Sequence, residues 1–371
     1  MIRRRTILLA VIVVAASLTG LMVEPAVRAG RASRSRLPAQ LSDQEFWSLV
    51  STLSEPGGSF RSDNLLSNER DIQVVLPALA LASGAGRAYL GVGPEQNFTY
   101  IAAIKPAMAF IIDVRRGNLN LHLMYKALFE LSADRAEFVS RLFSRKLGRR
   151  FAREASIGDL LVAAGLAERS DEFFRQNLAD VTAHLVTTHG FALTGDDLEW
   201  VEYVLGAFFR YGPSMNYSST GSFGGRSQPT YADLMTATDG DGRAGSYLAS
   251  EERFQVVRDL HRRNLLVPVV GDFAGDKAIR GVGRYLRDRG AQVAAFYVSN
   301  VEQYLERSAL WPRFCANAAT LPIDDASLFI RAVRRGRGWP GPGWGRGWPG
   351  SGLGTEVSRI APEVGACSAR W

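Results

Sequence analysis

Apolar residues follow two rhythms along this chain. Short, mainly apolar runs at 88–92, 109–114, 265–270, 293–298 and 328–333 predict buried strands. Between them, apolar residues recur every three or four positions, the spacing that lays a stripe along a helix. Leu119, Leu123, Tyr125, Leu128 and Phe129 make such a stripe over 119–131. Phe138, Leu142 and Phe143, then Leu160, Leu161 and Leu166, then Phe173, Phe174, Leu178, Val181 and Leu185 carry it on to about residue 190. Further helices are predicted over 41–53, 196–209, 251–263 and 277–289, the last closed by Gly290. Ser42 with Glu45, and Ser299 with Glu302, have capping-box spacing, and Thr194 suits an N-cap. The stretch 72–82 reads as a helix that Pro77 kinks or restarts. Strands alternating with helices predict an α/β domain over 41–333 with a partly parallel sheet. The strand-free block 132–210 reads as a helical insertion between the second and third strands.

The most informative unit is 87–113: strand, glycine turn, helix, strand. Gly91-Val92-Gly93 ends the first strand, Pro94 and Glu95 open the helix, and Asp113 lies at the tip of the second strand. Glycines let a ligand approach the backbone, and a strand-tip carboxylate accepts hydrogen bonds from ribose hydroxyls. A dinucleotide turn has a third glycine where Gln96 stands, and Glu95 puts negative charge where a pyrophosphate would sit. A nucleoside-type ligand with a cationic centre is not repelled by that charge. The same residues also read as a plain βαβ unit, with Gly93 turning into the helix, Pro94 fitting its first turn and Glu95 complementing its dipole.

Composition changes the picture mainly at the ends. Arg3-Arg4-Arg5 followed by the apolar, uncharged run 7–23 reads as a secretory signal in 1–29, cleaved near Ala29, or as a membrane anchor. Residues 30–40 read as a linker. The segment 334–354 is low complexity, with Trp-Pro-Gly twice, and 334–371 is expected to be a tail rather than a folded element. Of the total charge of +7, the first 36 residues carry +6 and residues 331–346 carry +5, which leaves the body at −4. A mildly acidic body argues against nucleic-acid binding through the fold itself. The expected location is exported, periplasmic or secreted, with an inner-membrane anchor as the alternative. Cys315 and Cys367 would then be free to pair, though the sequence equally allows a free buried Cys315. The sequence does not fix an oligomeric state.

The loop 211–246 is rich in Gly, Ser, Thr and Tyr, and is expected to be ordered and to cover the site. Asp239 and Asp241 suggest calcium, but Arg243 and Ala244 break the loop pattern. His122, His184, His189 and His261 show no metal-ligand spacing, and no metal is expected. His184 and His189 are five apart, which does not align them on an α-helix. No G-x-S-x-G elbow and no Gly-Lys-Ser/Thr phosphate loop is present.

The segments YLGVGPEQNFTYIAAIKPAMAFIIDVRRGN, LMYKALFELSADRAEFVSRLF, LLVPVVGDFAGDKAIRGVGRYL and VAAFYVSNVEQYL resemble a bacterial family of uncharacterised proteins with a methyltransferase-like core. The chain also resembles, more loosely, the class I S-adenosylmethionine-dependent methyltransferases. That resemblance implies a Rossmann-like sheet and S-adenosylmethionine as cofactor. It implies that Gly91 and Gly93 lie against the methionine part, Asp113 takes the ribose and Asp272 the adenine amino group, while Ser299 and Asn300 face the substrate. Tyr89, where an acid is usual, and Glu95, where a further glycine is usual, depart from the pattern. Two functions follow. One is methylation of a small molecule; the other is an exported, non-catalytic binding protein that retains the fold.

Overall fold

The structure, a computed structural model, describes residues 35–84, 86–148, 151, 153–220, 228–334 and 353–369. The expected signal segment, residues 30–34 of the linker and the Trp-Pro-Gly repeats lie outside these residues. Helix α1 (Asp43–Leu53) opens with the Ser42–Glu45 capping box, and α2 (Leu76–Leu81) starts afresh at Pro77. The βαβ unit follows: β1 (Arg87–Gly91), α3 (Gln96–Ile104) and β2 (Met108–Asp113). Every residue of β2 is buried, Asp113 at its tip included. Side chains such as Leu90, Phe110 and Ile111 are fully covered, each contributing roughly 1.5–3 kcal/mol.

Helices then run without a strand: α4 (Arg116–Leu131), α5 (Arg135–Leu142), α6 (Ile157–Leu166), α7 (Asp171–Ala183), α8 (Gly195–Tyr211), α9 (Tyr231–Thr236) and α10 (Glu251–Arg262). Thr194 caps α8 in a capping box with Asp197. A π-helical turn, His184–Thr188, ends α7. Its hydrogen bond from His189 N to His184 O spans five residues, so the two imidazoles meet edge to face on one side rather than diverging. The expectation that a spacing of five leaves them unaligned is corrected by that turn.

The sheet resumes with β3 (Leu266–Val270), then α11 (Ala278–Asp288), β4 (Gln292–Ser299), α12 (Val301–Arg307), α13 (Trp311–Ala318) and β5 (Leu328–Arg334). It closes with β6 (Leu353–Arg359) and α14 (Ile360–Ala369). The six strands lie in the order β3-β2-β1-β4-β5-β6, parallel except for β6, which pairs antiparallel with β5. Pro268 is tolerated in β3 because β3 is an edge strand. Among the described residues no helix is long and apolar enough to cross a membrane.

Three expectations are corrected. Residues 353–369 are not tail: β6 completes the sheet, and Cys367 on α14 is bonded to Cys315 on α13. Ser299 does not cap α12; Asn300 holds that position without a side-chain cap, and Glu302 is drawn to Arg331 at 2.7 Å instead. The region 211–246 is less loop than expected, since α9 lies within it and Tyr231 is fully buried, bonded to Tyr247 at 2.6 Å.

Candidate functional site

Parallel strands bring their carboxyl ends to one edge, and there the strand order reverses between β1 and β4. Gly91 and Gly93, Asp113, Asp272, and Ser299 with Asn300 all fall at this edge, after β1, β2, β3 and β4 respectively. Asp113 pairs in register with Val270, and its carbonyl accepts from Gly271 N at 2.8 Å, so the two aspartates end neighbouring strands.

Each of these groups is engaged within the chain. A Cβ at Gly91 would lie 1.9 Å from Asn97 Oδ1, so the close approach that the glycine permits is made by Asn97. Asn97 Nδ2 donates to the Val92, Gly93 and Pro94 carbonyls, and its Oδ1 accepts from Tyr89. Gly93 takes a φ of +76°, a left-handed turn that suits glycine. Asp113 is held by Arg115, whose Nε reaches Oδ1 at 3.0 Å and NH2 reaches Oδ2 at 2.8 Å. Asp272 Oδ1 accepts from Ala274 N at 2.9 Å and shapes the turn into α11. Ser299, at φ +52°, donates to Glu69 at 2.6 Å.

The covering element is the segment between α1 and α2, for which the sequence predicts neither helix nor strand. It crosses the strand ends in sheet order. Glu55 N donates to Val270 O after β3, and the Glu55 carboxylate takes the backbone N–H of Ala278 at 2.8 Å, at the start of α11. Gly58 N donates to Val114 O beyond β2. The Ser62 and Asp63 carbonyls accept from Arg115. Asn64 lies beside Gly93 past β1, its Nδ2 3.5 Å from where a Cβ on that glycine would stand, and Leu65 and Leu66 after it are buried. Glu69 then accepts from Tyr297 and Ser299 on β4. Two weak signals marked this strap: a run of polar residues too long for a plain turn, and Arg115 two residues after the strand-tip aspartate.

Beneath the strap lies a group of buried polar side chains. Burial pushes Glu95 up to about 8, only partly opposed by its own N–H and that of Ser67. Burial likewise pulls His122 down to about 4, against the bond to the Gly93 carbonyl. Neutral His122 therefore donates from Nε2 to Gly93 O at 2.9 Å. Its Nδ1, both polar atoms of Asn118, Gln96 Oε1 and the Tyr125 hydroxyl have no hydrogen-bond partner among the described residues. Glu69 is also pushed up by burial, with the Ser299 and Tyr297 hydroxyls opposing it. Away from this edge, Glu130, His184 and His189 bring donor atoms within 4.8 Å of one another, close enough to share a metal ion.

A mostly parallel sheet covered by helices, with a change of strand order above which polar groups gather, defines a Rossmann-like α/β protein. The chain belongs to the family described as "Domain of unknown function (DUF7790)", which matches residues 65–188 and 219–349. The two matched stretches take in the βαβ unit, the polar group beneath the strap and the strands β3 to β5. No curated protein matches the chain.

Proposed function

We propose that the chain is an exported binding protein without methyl-transfer activity, which keeps a Rossmann-like sheet but closes the ligand-facing edge with its own strap. The observation that carries this reading is the Arg115–Asp113 pair beneath the strap. A ribose needs the Asp113 carboxylate, and Arg115 already holds both of its oxygens. The space over Gly91 is filled by Asn97, and the N-terminus of α11 is taken by Glu55. An adenosine-type ligand would have to break these contacts, and its affinity would fall by what they are worth. The side chains with unpartnered atoms, Asn118, His122 and Gln96, are neutral at pH 7, and Glu95 is largely so. They suit a small uncharged ligand better than a sulfonium cation. Export is supported by the apolar run at 7–23 and by the Cys315–Cys367 disulfide, which persists in oxidising compartments.

Calorimetry of the purified protein with S-adenosylmethionine and its demethylated product tests this reading. No heat at millimolar ligand is expected. Saturable binding that Asp113→Ala abolishes would overturn it.

A second reading is methylation of a small molecule with S-adenosylmethionine held by Gly91, Gly93, Asp113 and Asp272. What favours it is that these residues, with Ser299 and Asn300, share one edge at the change of strand order. This reading requires the strap to lift, so Arg115→Ala should then increase cofactor affinity rather than leave it undetectable.

A further inference from the structure

The second cluster of interest lies far from the carboxyl edge. Glu130 is 14 residues along α4 from Arg116, about 20 Å of helix, which places it towards the amino ends of the strands. There α4, the π turn and the start of α1 meet. Glu130 Oε2 lies 2.7 Å from His184 Nε2 and 2.6 Å from His189 Nε2. The two imidazoles stand 4.8 Å apart between centroids, nearly perpendicular. The π turn makes this meeting, because only a five-residue repeat brings both rings to one side; such turns recur at functional sites.

The surroundings orient each donor. His189 Nδ1 faces Asp43 Oδ1 at 2.6 Å, and Asn264 Nδ2 donates to the same oxygen at 2.8 Å. A carboxylate on Nδ1 holds the proton there, the arrangement found behind most metal-bound histidines, and the proton that Nε2 shares with Glu130 Oε2 is the one a metal would displace. Lys126 Nζ holds Glu130 Oε1 at 2.6 Å, which turns Oε2 towards the rings. The side chains of Glu130, His184 and His189 are 8%, 17% and 10% exposed, so the site is enclosed yet reachable from solvent. Once the ion has displaced the Nε2 protons, Asp43, Glu130 and Lys126 sum to one negative charge, which a divalent cation reverses at small electrostatic cost.

We infer that Glu130, His184 and His189 form a three-ligand site for a divalent transition metal, with Asp43 as the positioning carboxylate and a fourth position open to water. Two imidazole nitrogens and one carboxylate oxygen are the donor set of zinc and of the borderline cations near it in affinity. The ion would pin α1 and the π turn to α4 and so tie the helical insertion to the sheet layer.

The test uses the untagged full chain, stripped with chelator, and zinc or cobalt(II) chloride as probe. Zinc should bind at one equivalent in competition with a chromophoric chelator. Cobalt(II) should give the visible absorption of a four-coordinate site. His184→Ala and His189→Ala should each weaken zinc binding about 100-fold, and Asp43→Asn about 10-fold. His184 is the most exposed of the three, so His184→Ala is the variant to rely on if His189→Ala does not fold. The wild-type cobalt spectrum needs no variant at all. No saturable zinc binding at 100-fold excess over about 1 μM protein, or binding that His184→Ala leaves unchanged, would overturn the inference.

Discussion

Arg115 and Asp113, two residues apart at the end of β2, close on each other through three hydrogen bonds: Arg115 N and Nε to Oδ1, and NH2 to Oδ2. Both side chains are nearly covered, at 10% and 6% exposure. Arg115 then reaches across to the Ser62 and Asp63 carbonyls, so the pair is also the clasp of the strap. Breaking a buried pair from one side leaves an uncompensated charge. Arg115→Ala should therefore destabilise the protein by about 3–5 kcal/mol. Removing both charges should cost clearly less than the sum of the single losses. Urea midpoints of the two single variants and the double variant measure this coupling.

Glu95 gives a pH prediction. Its folded value lies at about 8, above the ordinary 4.5, so the folded state holds a proton that the unfolded chain releases. Stability from this group is present below pH 4.5 and is lost as pH rises to about 8, by about 1.4 kcal/mol per unit. Glu95→Gln should flatten that slope and raise stability most at pH 9. Glu69, shifted in the same direction, leaves part of the slope in place. Denaturant midpoints at pH 4.5, 7 and 9 check this; an unchanged slope in the variant would contradict it.

Gly91 should not tolerate a methyl group. A Cβ there meets Asn97 Oδ1 at 1.9 Å and the Tyr89 ring and hydroxyl at 2.9 Å. Asn97 cannot swing away without losing its bonds to Val92, Gly93 and Pro94. Gly91→Ala should cost about 3 kcal/mol or more by overpacking. It should cost less in an Asn97→Ala background, where the clashing oxygen is gone. Thermal melts of the four proteins give the comparison.

How much of this was readable beforehand depends on the range of the interaction. Strands β1 to β5 were legible because each is a short apolar run closed by polar or turn residues, and Asp113 and Asp272 fell at the expected edge because parallel pairing leaves no other place. The capping box at Ser42 and the N-cap at Thr194 were legible because they are local. The pair Ser299–Glu302 misled for the same reason: its spacing is right, but Arg331, distant in sequence, competes successfully for Glu302. The strap was not legible, since its order comes from contacts with four strands rather than from any period of its own. Strand β6 was hidden behind the glycine-rich stretch before it, although Thr355 and Val357 alternate as a strand should. The π turn was missed because a five-residue spacing means divergence only on a regular α-helix.

The Cys315–Cys367 bond closes a loop with a separation of 52 residues. A loop of that size corresponds to about 4 kcal/mol of unfolded-state restriction. Cys315→Ser with Cys367→Ser should lower the urea midpoint accordingly, and dithiothreitol should bring the wild type to the same value. Equal midpoints with and without reductant would contradict this.

That crosslink has one more consequence. Sheet strand β6 and helix α14 follow Arg334 by way of residues 335–352. A protease that cuts anywhere in that interval would not release the carboxyl-terminal piece. The nicked protein would run as a single band on a non-reducing gel and as two after thiol treatment, with its sixth strand retained throughout.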